Sequence, residues 1–102
     1  MNARVVIAAL SPFGSREVNA HRTDLLRQQL RSRGIAFVEG ATGWSFGVDT
    51  DTDSDTFSEL VRLARRYGQT FISAYPEDGV ERRYHLAPGS GGPSIISIEE
   101  LP

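Results

Sequence analysis

The sequence predicts an α+β domain of the split βαβ (ferredoxin-like) kind, a βαββαβ antiparallel sheet with two helices on one face and an added C-terminal hairpin strand. Three observations carry that expectation. A run of β-branched and small apolar residues opens the chain. Two segments of helical periodicity are separated by two short segments of alternating hydrophobicity. A proline–glycine turn then divides two further strand-like segments.

The first strand is expected over residues 4–10, where Val5, Val6, Ile7, Ala8, Ala9 and Leu10 follow Arg4. Its unbroken apolar run predicts burial on both faces in the middle of a sheet. Pro12 and Gly14 end it. A helix is predicted over residues 18–33, with Val18, Leu25, Leu26 and Leu30 near one stripe. Asn19 is a candidate N-cap with Ser15 as its competitor, and Gly34 is the expected stop.

Strands are predicted at residues 35–39 and 44–49, with Ile35 and Phe37 on one apolar face and Trp44, Phe46 and Val48 on the other. The second helix is expected over residues 57–67. There Thr56-Phe57-Ser58-Glu59 matches a capping box, ahead of an apolar stripe through Leu60, Val61, Leu63, Ala64 and Tyr67. A fourth strand follows Gly68, over residues 69–75. Pro76-Glu77-Asp78-Gly79 then turns the chain into a hairpin partner at residues 80–86. The domain organisation expected is one domain over residues 1–87, a Gly/Pro/Ser link over 88–94, and a short strand or tail over 95–102.

Composition limits the chemistry. The 102 residues include no cysteine, which excludes a disulfide framework, a thiol nucleophile and a cysteine-ligated metal. All 11 cationic side chains are arginine and the formal net charge is -2, which argues against general duplex nucleic-acid binding. No apolar run is long enough for a membrane span or a secretory leader, so a cytoplasmic location is expected.

Several motifs invite a functional reading. Asp49, Asp51, Asp53 and Asp55 alternate like the start of a calcium loop, but Ser54 stands where the glycine belongs and Leu60 where the bidentate glutamate belongs. No metal and no cofactor is expected. His21-Arg22-Thr23 matches half of a two-histidine phosphodiesterase signature, yet His85-Leu86-Ala87 lacks the hydroxyl of the second half. The stretch from Gly89 to Pro93 lacks the lysine and hydroxyl of a phosphate loop and is read as linker. Arg62, Arg65 and Arg66 near the end of the second helix, with Arg82 and Arg83, form arginine clusters. Such clusters suit either a helix C-terminus or the bidentate grip of an anion.

Taken together, Asn19-x-x-Arg22-Thr23 with Leu26, Leu30 and Gly34 forms one signature, and Gly40 with Ser45-Phe46-Gly47-Val48 a second. Leu63-Ala64-Arg65-Arg66-Tyr67-Gly68-Gln69 with Phe71-Ile72 forms a third. Over about residues 5–75 the chain thus resembles an uncharacterised family of small bacterial and phage proteins, domain-of-unknown-function family 3293. Gly47 departs from that pattern, where a bulky aliphatic residue is usual, and so does the run from Asp49 to Asp55. The resemblance implies no activity.

The expected function is that of a small non-enzymatic binding protein, a phage or prophage accessory. It would act in counter-defence by sequestering a nucleotide-like anionic signal, as a homo-oligomer that encloses its ligand. The ligand-binding candidates are Asn19, Arg22, Thr23, Trp44, Arg66 and Gln69, with Trp44 or Tyr67 available to stack a base. For Asn19 and Gln69 the structural alternative is a helix cap and a helix-to-strand junction. No catalytic residues are assigned. The alternatives are an inhibitor of a host defence protein, and a metal-independent phosphodiesterase using His21 and His85.

Overall fold

In the computed structural model of the chain, which describes residues 1–89 and 94–102, eight elements follow one another. They are β1 (Asn2–Ala8), α1 (Arg16–Ser32), β2 (Val38–Glu39), β3 (Ser45–Asp51), α2 (Asp55–Arg66), β4 (Phe71–Pro76), β5 (Glu81–Leu86) and β6 (Ile95–Leu101). The strands form one six-stranded sheet in the order β2-β3-β1-β4-β5-β6, and every neighbouring pair is antiparallel. The result is an α+β architecture compatible with the ferredoxin-like arrangement, with β1 beside β4 as the crossovers require.

One face of the sheet carries the core. Val5 and Ile7 of β1 lie opposite Val48 and Phe46 of β3, and Val5 also lies opposite Ala74 of β4. These join Leu26 and Leu30 of α1 and Phe57, Leu60, Val61, Leu63 and Ala64 of α2 in a single cluster, so both helices cover the same face. Phe37 packs edge-on against Phe46 with ring centres 5.1 Å apart, which extends the cluster past the short β2. Truncating a fully buried leucine such as Leu26 or Leu60 here removes about 2–5 kcal/mol.

β1 is central, but burial on both faces is corrected. Ala3, Val5 and Ile7 are buried whereas Asn2 and Arg4 are exposed, because no helix covers the second face. On that face the Arg4 stem lies across Gly47, where a Cβ would sit 3.1 Å from its Cδ. Its guanidinium then reaches Asp49 with two bonds of 2.8 Å. Gly47 thus makes room for an arginine rather than for a turn.

The helix starts are corrected too. α1 begins two residues earlier than expected, with Ser15 as N-cap accepting from the Val18 amide at 3.1 Å, and Asn19 lies inside the helix. α2 is capped by Ser54, which accepts from the Phe57 amide at 3.1 Å, so Thr56 and Glu59 form no capping box. Both helices end alike. Gly34 and Gly68 adopt positive φ, and their amides return to Arg31 and Arg65, while the next amides reach Leu30 and Ala64. This pattern meets the carbonyls of Leu30 and Arg31, and of Ala64 and Arg65, from the main chain.

The expected strand at residues 35–39 is reduced to Val38–Glu39. Residues 95–102, expected as a short strand or tail, are built into the sheet as a strand: β6 pairs along the whole of β5, from Glu81 opposite Leu101 to Leu86 opposite Ile95. Of the expected link at 88–94, residues 90–93 lie outside the described residues, as does most of the linker stretch from Gly89 to Pro93. Among the described residues no helix is long and apolar enough to cross a membrane.

Candidate functional site

Four of the six sequence-predicted ligand residues come together, at the junction of α1, the segment after β1, and the end of α2. The Asn19 side chain accepts from the Ser11 amide at 2.8 Å and donates to the Ser11 carbonyl at 3.2 Å, fastening the turn that leads into α1. Arg22 donates from Nε to the Ala9 carbonyl at 2.5 Å and from Nη2 to the Tyr67 carbonyl, with its guanidinium 5.7 Å from the Tyr67 ring centre. Gln69 donates from Nε2 to the carbonyls of Leu10 and Tyr67, at 2.9 and 3.2 Å. Thr23 is buried and its hydroxyl donates to the Asn19 carbonyl one turn back, at 2.8 Å.

The logic of this junction is local. The backbone return at Gly68 and Gln69 leaves the Tyr67 carbonyl without a helical amide, and Arg22 and Gln69 both supply it. The residues converge, but on main-chain carbonyls. Among the described residues no buried side-chain nitrogen or oxygen lacks a partner, and here the partners are supplied by the main chain.

His21 is exposed on α1. His85 lies opposite Phe71 and Ser97 on the uncovered face of the sheet, 3.1 Å from Glu99, while its neighbours Tyr84 and Leu86 enter the core. The sheet therefore stands between the two histidines, and they share no site. The aspartate run is equally dispersed. Asp49 faces Arg4, and Asp51 accepts from the Met1 ammonium at 2.9 Å and the Asp53 amide at 2.8 Å. The Asp53 amide, then the terminal ammonium, holds the Asp51 carboxyl below its usual range, and the Arg4 guanidinium does the same for Asp49. Among the described residues no group of three or more histidines and carboxylates is placed to hold a metal.

A fifth candidate, Arg66, belongs to a different place. A cleft of about 810 Å³ runs along α2 toward the start of β6. Phe57, Val61, Leu63 and Ile95 supply apolar lining, and Arg33, Arg62, Arg65 and Arg66 supply charge against the single carboxylate of Glu59. Arg62 and Arg66 are four residues apart, and Arg62 and Arg65 three, so the helix presents them as neighbours. Glu59 bridges Arg33 of α1, at 2.6 Å, and Arg62, whose side chain is 73% exposed. Arg65 donates to the Ala87 carbonyl at 3.0 Å and the Ser94 hydroxyl at 3.1 Å. Arg66 is exposed and makes no hydrogen bond or ion pair with a described residue. Backbone amides meet the carbonyls of Leu63, Ala64 and Arg65, and Arg22 and Gln69 meet that of Tyr67, so none of these four draws on the three arginines.

Trp44 is half-buried just ahead of β3 and lines neither the cleft nor the junction. Sequence reasoning missed Arg33, Glu59, Ser94 and Ile95 as cleft residues. The helical spacing of Arg62, Arg65 and Arg66 was a usable signal. The Arg33–Glu59 pair was not, because it joins two helices whose packing no local pattern specifies. No family model, curated protein or solved structure matches the chain.

Proposed function

We propose that the chain is a small binding protein that holds a nucleotide-like anion in the arginine-lined cleft along α2. The observation that carries this reading is the local reversal of charge. A molecule of net charge -2 gathers four arginines against one carboxylate around the cleft along α2, and leaves Arg66 unengaged. Arginine's planar fork suits a phosphate, and Phe57, Val61 and Ile95 offer an apolar surface to a base or sugar. Glu59 is held by two arginines and the cleft contains no histidine, so among the described residues its lining offers no free base beside a nucleophile. That lining supports binding rather than bond cleavage.

Within this proposal the fold is the split βαβ (ferredoxin-like) arrangement widened at one edge by β5 and β6. Within the same proposal the protein acts in counter-defence, withholding an anionic signal from its receptor.

The test is calorimetric titration with AMP, ADP and a cyclic dinucleotide. At least one is expected to bind, to be recovered chemically unchanged after denaturation, and to bind at least about tenfold more weakly to Arg66→Ala, a loss of ~1.4 kcal/mol. Absence of binding by all three, or equal affinity in an Arg62→Ala/Arg66→Ala variant, would overturn the proposal.

A further inference from the structure

The two edges of the sheet differ. β2 ends one side with two residues, too short to recruit another strand, whereas β6 ends the other with seven, and no described residue pairs with its outer edge. An exposed row of backbone donors and acceptors of that length is a template for a further strand. The usual protections are missing from it. β6 contains no proline or lysine, and its two glutamates are drawn inward across the β5 pairing, Glu99 to His85 at 3.1 Å and Glu100 to Arg82 at 3.3 Å. Ile96 and Ile98 are left 62% and 56% exposed, on a strand that no helix covers.

We propose that β6 pairs antiparallel with β6 of a second copy, about a two-fold axis perpendicular to the sheet at Ile98, so that one sheet runs through both molecules. The occupant is argued from the sequence of the strand itself. An axis in that direction keeps the helices of both copies on one side and demands that facing residues have the same parity. Centred at Ile98, the register sets Ile98 opposite the partner's Ile98, Ser97 opposite the partner's Glu99 and Ile96 opposite the partner's Glu100. Every glutamate then faces a neutral residue. Moving the centre one residue on, to Glu99, would set two carboxylates face to face, which is destabilising. The strand thus sets no two carboxylates face to face when centred at Ile98, and is repelled when centred at Glu99.

The experiment reads association, not ligand, so its failure leaves the cleft proposal standing. Wild type is expected to sediment as a dimer at high micromolar concentration, and Ile98→Arg, at an exposed position, as a folded monomer with an unchanged circular dichroism spectrum. The native chain has no cysteine, so Ile98→Cys provides a clean second measurement. Two residues facing across the axis have Cα atoms about 4.5–5.5 Å apart, within the span of a disulfide. Mild oxidation should therefore cross-link Ile98→Cys far faster than Ser32→Cys, an exposed control on α1. A monomeric wild type, a dimeric Ile98→Arg, or cross-linking of Ile98→Cys no faster than the control would each overturn the proposal.

Discussion

At one end of α2, Arg22 and Gln69 donate to the carbonyls of Ala9, Leu10 and Tyr67, tying α1, β1 and α2 into one joint. Beside it, along the same helix, Arg62 and Arg66 extend into an open cleft, one held only by an exposed ion pair and the other by nothing described. Both regions are built from arginine and amide groups close in sequence. What separates them is the backbone. Where the chain leaves a carbonyl without a helical partner, a nearby arginine is drawn in to satisfy it. Where the carbonyls are already met, the arginine remains available to something else. A polar side chain's role is therefore decided by which main-chain groups around it are still unpaired.

The largest effect expected from this contrast is on stability at the joint. Arg22→Ala removes two charge-assisted bonds to carbonyls and should cost about 2–4 kcal/mol, measured by denaturant or thermal unfolding. A cost under ~0.5 kcal/mol would place Arg22 with the cleft arginines instead. Asn19→Ala, which frees the Ser11 amide and carbonyl, should cost about 1–2 kcal/mol in the same measurement. At the cleft, Arg66→Ala should leave stability within about 0.5 kcal/mol while weakening nucleotide binding. The two variants thus exchange effects.

Helix capping supplies a sharper control within α2. Ser54→Ala should lose about 1 kcal/mol and Thr56→Ala much less, since only Ser54 accepts from a first-turn amide. Acid should act elsewhere again. The carboxyls of Asp49, Asp51 and Asp78 are held low, Asp49 by Arg4, Asp51 first by the Asp53 amide and Asp78 first by the Val80 amide. Their contribution to stability is complete above the unfolded carboxylate value of about 4, and is lost as pH falls through their depressed folded values. A melting curve followed against pH should show that fall, and Asp49→Asn should flatten part of it.

Much of the fold was legible because it rests on period and punctuation. Alternation located the strands, the Leu26–Leu30 and Leu60–Leu63 stripes located the helices, and Gly34 and Gly68 marked their ends. The misplacements have a common cause. Ser15 and Ser54 cap where Asn19 and Thr56 were expected, because a cap is fixed by where the chain turns and several hydroxyl or amide residues offer themselves nearby. The run from Val5 to Leu10 could not reveal that one sheet face stays uncovered, since that depends on where the helices pack. The site divided along the same line. Arg66 carried its helical spacing in the sequence, whereas Arg33 and Glu59 meet only through the packing of α1 against α2. The convergence of Arg22, Asn19 and Gln69 and a backbone role for Gln69 were both legible as alternatives, but not that Arg22 would be drawn onto the carbonyls of Ala9 and Tyr67.

The contrast between joint and cleft is tested most directly by titrating the isotope-labelled protein with ADP and following every backbone amide by nuclear magnetic resonance. Saturable shifts are expected at Ser58, Glu59, Arg62, Arg66, Ser94 and Ile95, with Ser11, Asn19, Thr23 and Gln69 unmoved. Shifts centred on Asn19, Arg22, Thr23 and Gln69, with the outer face of α2 unchanged, would contradict the account.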